Sequence, residues 1–391
     1  MTQTAQVENA TATRPVLHMA LELSQSKWKI AFGTGIKTRI VTIEARDLER
    51  LRGEVAKAKK RFGLDEDALV ASCYEAGRDG FWIHRFLVSE GIESFVVDSS
   101  SIEVPQKKRR VKTDRVDVIK LYRLLRRYVG GERDVWIVVR PPSVRDEDER
   151  RTHRERERLL KERTQHSNRI KSLLTTLGIK LEVNRRFRTA LESARCWDGS
   201  EVGENLRAEL LREFVRWELV SDQIRAIHEQ QRTALLSVPS AASEQQDAAL
   251  GKLQDAVSLT RLCGIGERSA WPLAHEFFWR DFSNRRQVAS AAGLCGTHWS
   301  SGSEDREQGI SKSGNKRVRS LMVEVSWFWL RYQPDSEITR WFNERFAFGS
   351  KRMRKVGIVA VARRLLVALW RYLRQGLVPT GARMKAQTAK A

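Results

Sequence analysis

The residues best placed to do chemistry together are acids at the ends of strand-like and helix-like runs. In QKKRRVKTDRVDVIK, residues 106–120, Asp114 and Asp117 follow the cations Lys107, Lys108, Arg109, Arg110 and Lys112. On a helix, the three-residue spacing of these aspartates gives them a common face. Glu22 ends the strand-like VLHMALE, on the side of Val16, His18 and Ala20, and Glu75 ends ALVASCYE. Clustered carboxylates repel one another unless a cation neutralises them, and hard oxygen donors favour Mg2+ or Mn2+. Such ions activate a nucleophile and stabilise a leaving oxygen in phosphoryl transfer. Taken singly, each acid has a plainer reading as a strand-end surface charge or, for Asp114, as a favourable charge at a helix start. The expectation therefore rests on the acids as a set.

A second group lies in AAGLCGTHWSSGSEDREQGISKSGNKRVR, residues 291–319. Ser300 and Ser301 precede Gly302, and Arg306, Lys312, Lys316, Arg317 and Arg319 follow. A serine hydroxyl becomes a nucleophile once a base or metal takes its proton, and nearby cations stabilise a pentavalent phosphorane. Ser-Gly clusters also mark ordinary turns. The GIG at 264–266 offers backbone N–H groups to a phosphate ahead of a helix, or is a simple glycine turn. Trp299, Trp327, Phe328, Trp329 and Trp341 have the chemistry to stack on bases, or to fill a core.

The elements that must position these groups follow from apolar periodicity. Three short strands span about 15–46, a helix 46–62, a strand 67–76, then a helix across GFWIHRFLVSEG, the strand IESFVVDSS, and a helix from Thr113 to Tyr128. A hairpin meander followed by βα units gives an α/β domain with a mixed sheet, in the order of the ribonuclease H fold. Its acids fall near the carboxyl edge, where open α/β sheets bind ligands. Beyond Pro141-Pro142 the chain becomes highly charged, with Leu159, Leu160, Ile170, Leu173, Leu174 and Leu177 thickening toward its end. Leu210, Phe214, Trp217, Ile224 and Ile227 form a second seam, so the two runs pair as an antiparallel hairpin or dimerise as a coiled coil. From about 255 the pattern is mainly α. The expected layout is a disordered leader 1–14, an α/β domain 15–142, a helical coiled-coil or dimerisation region 143–254, a serine-containing mainly α domain 255–376 and a basic tail 377–391.

Lys plus Arg number 71 against 49 Asp plus Glu, a net charge of +22, which favours a polyanionic partner, nucleic acid first. No run approaches the roughly 18–20 apolar residues that span a bilayer, and the polar start lacks a secretory core, so a cytoplasmic protein is expected. The four cysteines are far apart with no CxxC, and the seven histidines show no HExxH, which argues against a zinc ribbon, a disulfide framework or a His-based metal site.

Together, the first-strand Glu22, CYEAGRDGFW, KTDRVD, LCGIG and the 291–319 segment carry a resemblance. Over about residues 15–376 the chain resembles the DEDD transposases of insertion-sequence family one-hundred-and-ten and its sister group, relatives of the pilin-gene invertase. The resemblance implies a RuvC-like domain, a coiled-coil region and a C-terminal transposase domain with an essential serine. It implies a site-specific recombinase that excises and inserts its element, guided in several members by a structured bridge RNA. Glu22, Glu75, Asp114 and Asp117 would be the metal-binding acids, and Ser301, directly before Gly302, would form a covalent phosphoserine link to DNA. Implied partners are donor and target DNA, the bridge RNA, and further copies of the chain in a dimer or tetramer with composite sites. Family members usually carry Asp at the first acidic position, and Glu22 lengthens that ligand by one methylene. The residues also admit a RuvC-like junction resolvase or nuclease that uses water, and a nucleic-acid-binding protein that has lost catalysis.

Overall fold

The computed structural model describes residues 15–102, 114–238, 248–301 and 304–385. The chain divides into two compact units between Ser143 and Val144. Among the described residues no helix is long and apolar enough to cross a membrane.

The first unit is built on a mixed sheet of β1 (Leu17–Leu23), β2 (Lys27–Gly33), β3 (Arg39–Glu44), β4 (Val70–Glu75) and β5 (Glu93–Val97), in the order β3-β2-β1-β4-β5. β1, β2 and β3 form an antiparallel meander, while β4 and β5 run parallel to β1. Among the described residues, α-helices α1 (Leu48–Arg61), α2 (Trp82–Ser89) and α3 (Asp114–Val129) flank the sheet. Central β1 is covered on both faces, which is why LHMALEL carries apolar residues at successive positions. Leu17, Met19 and Leu21 share a core with Leu51, Ala58, Ile83 and Leu87 of α1 and α2. Ala20, Ala31 and Cys73 pack on the other side with Val118, Leu121 and Leu125 of α3. Small residues there let α3 sit close, and the Tyr122 hydroxyl donates to Gly35 O at 2.7 Å. A Cβ at Gly33 would lie 2.4 Å from that hydroxyl oxygen, so glycine is required by space.

Periodicity did not reveal one feature of this unit. Residues 137–139 run along β5, with Asp98 N donating to Ile137 O at 2.9 Å and Val139 N donating to Val96 O at 2.7 Å. They cover an otherwise open sheet edge.

The second unit begins with α4 (Val144–Glu149), α5 (Arg151–Thr175), α6 (Phe187–Glu192) and α7 (Glu204–Leu236). α5 and α7 pair antiparallel within the chain. Leu159 packs with Val220 and Ile224, and Ile170 and Leu174 with Leu210 and Phe214. Arg169 to Glu209 and His166 to Glu213, at 2.8 and 2.7 Å, and Gln231 to Thr152 at 3.1 Å fix the register. α8 (Ala248–Thr260) runs through positions 254 and 255, followed by α9 (Glu267–Pro272), a π-type turn Leu273–Phe278 and α10 (Arg285–Ala291). A hairpin of β6 (Gly296–Ser301) and β7 (Glu304–Ile310) stands out in this mainly helical region, and α11 (Lys316–Tyr332), α12 (Glu337–Phe346) and α13 (Lys351–Gln375) complete it. Ile358, Val361, Ala362, Leu365, Leu366 and Leu369 recur at helical spacing and form the buried stripe of α13.

Past α13, residues up to 385 fold back onto the unit. Buried Gln333 donates to Cys263 O at 2.8 Å and Arg383 O at 2.9 Å, and accepts from Arg383 N at 2.6 Å. The expected leader 1–14 and the end of the tail, 386–391, lie outside the described residues.

Candidate active site

The acids of the first unit are set by strand register. Leu21 of β1 is paired with Tyr74 of β4, so Glu22 and Glu75, the next residues, lie side by side near the ends of neighbouring parallel strands. Both belong to the series of Ala20 and Cys73, the face that α3 covers. Across β1 on the other side, Glu22 is paired with Lys29 of β2. Glu22, Glu75 and Asp79 line a cleft of about 400 Å³ with Ser24, Gln25 and Ser99. Sequence reading did not single out Asp79, which lies in the quoted CYEAGRDGFW. The loop carrying it is pinned by the Tyr74 hydroxyl on Gly80 O at 3.0 Å and turns at Gly80, whose φ is +69°.

Helix α3 runs antiparallel to β1. Its Tyr122 meets His18 near the start of β1 edge-on at 6.4 Å, and Leu121 O lies 3.8 Å from the Cys73 sulfur. Burial pushes the His18 imidazole pKa down, and the charge of Arg126, one turn farther along α3, adds to this. The α3 N-terminus, with Asp114 and Asp117, therefore points toward the edge where β1 and β4 end. Burial, then the charge of Glu75, pushes the Cys73 thiol up, so this cysteine is an inert core group. Among the described residues no three His, Cys, Asp or Glu side chains stand close enough together to hold a metal ion. Lys107, Lys108, Arg109, Arg110 and Lys112 lie outside the described residues.

In the second unit, Ser301 ends β6 opposite Glu304, with Ser300 opposite Asp305. The base of this hairpin is anchored by the surrounding motif. Gly293 (φ +66°) and Gly314 (φ +87°) bring two backbones together: a Cβ on Gly293 would lie 1.8 Å from Ser313 O, and one on Gly314 2.4 Å from Ala291 O. Ser311 N donates to Cys295 O at 2.8 Å and Asn315 N to Ala291 O at 2.8 Å. Asn315 then caps α11, accepting from Arg317 N and Val318 N. The glycines and asparagine of AGL and SKSGN thus have a mechanical role in seating the serine hairpin.

Sequence reading missed the buried polar centre behind this anchor. Glu276 accepts from His153 Nε2 at 2.9 Å, from Arg154 at 2.7 and 3.0 Å, and from Asn315 Nδ2 at 3.2 Å. Burial raises the Glu276 carboxyl pKa, but the hydrogen bonds and charges of His153 and Arg154 outweigh it and hold it well below the usual carboxylate range. Nothing local in HEFF marks this glutamate as buried, because its partners lie 39 and more residues away.

Several expected nucleic-acid contacts have partners within the protein. Arg319 donates to Ala292 O at 3.1 Å and Arg317 to Glu157 at 2.8 Å, while Lys312 has a left-handed φ of 58° and Lys316 opens α11. Arg306 lies on β7 opposite Trp299. The GIG turn ends at the N-cap of the short α9, and Gly264 (φ +85°) packs against Phe328 O. Trp329 is a core residue whose Nε1 donates to Ser336 at 2.9 Å, whereas Trp327 and Phe328 are exposed on α11.

The chain is similar to known transposases. Residues 256–339, which include the hairpin and its anchor, match the family described as "Transposase IS116/IS110/IS902 family". The chain is 41% identical over 379 residues, 94% of either protein, to "Putative transposase y4rJ" of Sinorhizobium fredii. It is 31% identical over 273 residues to "Putative transposase y4qE" of the same organism, covering 67% of this chain and 59% of the relative. A shorter match, 26% over 130 residues, covers 33% of this chain and 36% of the "Transposase for insertion sequence element IS1533" of Leptospira borgpetersenii. Similarity to y4rJ over nearly the whole of both chains, with the family match across the serine hairpin, establishes that this chain belongs to the IS116/IS110/IS902 family of transposases.

Proposed function

We propose that this transposase is a site-specific DNA recombinase that excises and inserts its element by serine- and divalent-metal-dependent strand exchange. The observation that carries the reading is the juxtaposition of Glu22 and Glu75 by the β1–β4 register. The strand order β3-β2-β1-β4-β5 is that of a ribonuclease H-like, RuvC-like domain and supports it. Glu22 and Glu75 at one sheet edge, together with Asp114 and Asp117 from the start of α3, would make an all-oxygen donor set if an ion drew them together. That set fits a hard dication such as Mg2+ or Mn2+. When bound, such an ion supplies Lewis-acid stabilisation of phosphate oxygens.

The chain's own contribution is nucleophile and scaffold. In the proposed step, the Ser301 hydroxyl loses its proton and its oxygen bonds to a backbone phosphorus as the bond from phosphorus to the leaving deoxyribose oxygen breaks. That oxygen takes up a proton. One phosphoester replaces another, so the strand is resealed by the reverse reaction without an external energy source. Guidance by a bridge RNA and assembly into a homo-oligomer belong to the same proposal, and the net charge of +22 supports a long polyanionic contact.

The test is a suicide DNA substrate resolved on a denaturing gel. The intact chain is expected to form a covalent protein–DNA adduct that S301A lacks while still binding DNA. Free 5′-phosphate ends with no adduct would instead assign the first unit to hydrolysis by water. Sequencing RNA that copurifies from a host carrying the flanking element tests the guide, and random fragments alone would count against it.

A further inference from the structure

Two sets of basic residues in the second unit differ in their partners. Several on α5 to α7 have acidic partners: Arg188 has Glu218 at 2.6 Å, Arg225 has Asp222 at 2.9 Å, and Arg158 has Glu155 and Glu162, both at 3.8 Å. The second set surrounds a cleft of about 970 Å³ between α10, α12, α13 and the segment after α13. Arg285, Arg286, Arg363, Arg364 and Arg371 line it, all exposed, and among the described residues Glu337 is the one acid in its wall. Among the described residues none of these arginines is paired with a carboxylate.

We propose that this cleft binds the phosphodiester backbone of a nucleic acid, at a surface separate from the serine hairpin. This rests on the reading of the protein as acting on nucleic acid. Arg364 and Arg371 are two turns apart on α13, about 10 Å at 1.5 Å rise per residue, and Arg285 and Arg286 flank the cleft from the start of α10. That is a row of charge facing a pair, suited to successive phosphates on a strand. The Arg364 guanidinium lies 4.0 Å from the centre of the Trp341 ring, and this cation–π contact holds the arginine before any ligand arrives. Val367, Leu377 and Val378 give the wall an apolar part against which sugars can lie. A concave surface of one sign with low-dielectric walls concentrates its field, so unpaired arginines here contribute more than scattered ones.

The shared chemistry is the phosphodiester, and DNA and structured RNA are its two sources. The full chain is titrated, by fluorescence anisotropy, into a labelled DNA duplex and a labelled hairpin RNA over a series of NaCl concentrations. The variant R285Q/R364Q/R371Q is compared with R158Q/R188Q/R225Q, which removes the same charge from paired positions. For duplex DNA the cleft variant is expected to lower the slope of log affinity against log salt by about 0.9 per lost contact. At 0.15 M salt it should bind about one to two orders of magnitude more weakly, the control much less. The same loss for RNA alone would assign the cleft to RNA. If the triple variant misfolds, the single variants are read instead, each expected to lower the slope by about one.

Equal slopes for wild type and cleft variant would overturn the proposal, as would an equal loss in the control. Displacement of the probe by polyglutamate as readily as by unlabelled DNA would do so as well, by pointing to an acidic protein. Absence of any nucleic-acid binding by the wild-type chain would instead overturn the reading on which the proposal rests.

Discussion

At the scale of single residues, the side chains most committed to the fold are buried polar ones. His275 is buried, stacks on Trp271 with ring centres 4.2 Å apart, and donates through Nδ1 to Trp271 O at 3.0 Å. Burial pushes its imidazole down to about 4 from an ordinary 6.5. Between these values the unfolded chain holds a proton that the folded chain refuses, so stability falls as pH is lowered through that window. The full loss is about 3 kcal/mol, at ~1.4 kcal/mol per pH unit. Urea unfolding at pH 7 and pH 4 checks it: His275→Phe, which cannot titrate, should lose less stability than wild type across the interval. An equal loss would mean that other groups carry the acid sensitivity. The candidate acids were recognisable one by one because each ends a strand or opens a helix. His275 and Glu276 were not, because their burial depends on α5 and α11.

At the scale of elements, the strands and main helices of the first unit follow from pattern. β1 is apolar at successive positions because both its faces are covered, and α3 carries Val118, Leu121, Tyr122 and Leu125 at helical spacing. The two charged seams were compatible with pairing in one chain or between chains. The structure pairs α5 with α7, a choice made by contacts such as His166 to Glu213 that no periodicity encodes. The β6–β7 hairpin was hidden because GTHWSS and EDREQGI have little apolar alternation to announce a strand. Its anchor gives a prediction at this scale. Gly314→Ala forces a side chain into a left-handed residue and against Ala291 O, and should cost about 2 kcal/mol or more. Adduct formation should fall with it while the first unit keeps its fold. Wild-type melting and wild-type adduct yield in this variant would show that the anchor is dispensable.

For the molecule as a whole, the segment after α13 binds distant parts of the second unit together. Gln333 joins the α11 end to Cys263 and Arg383, and Lys385 N donates to Arg261 O at 2.7 Å. Gln333→Ala leaves two carbonyls and an N–H without their partner, which should cost about 1–3 kcal/mol for the buried groups. Amide exchange at Cys263 and Arg383 should quicken well before that of α13, and exchange unchanged at both would refute the clamp. Charge is also a property of the whole chain. The excess of +22 was evident from composition, but which cations are spent on glutamates and which line the 970 Å³ cleft was not. By itself the sequence determined the polyanion-seeking character, the βαβ order and the acids at its strand ends, because composition and local periodicity are properties of short segments. Only the tertiary structure decided that Glu22 and Glu75 end up side by side, that Arg317 pairs with Glu157 and Arg319 with a backbone carbonyl, and that Arg364 and Arg371 line the cleft without a carboxylate partner. Register and ion pairing join residues far apart in the chain, and they are chosen by the packing of the whole core.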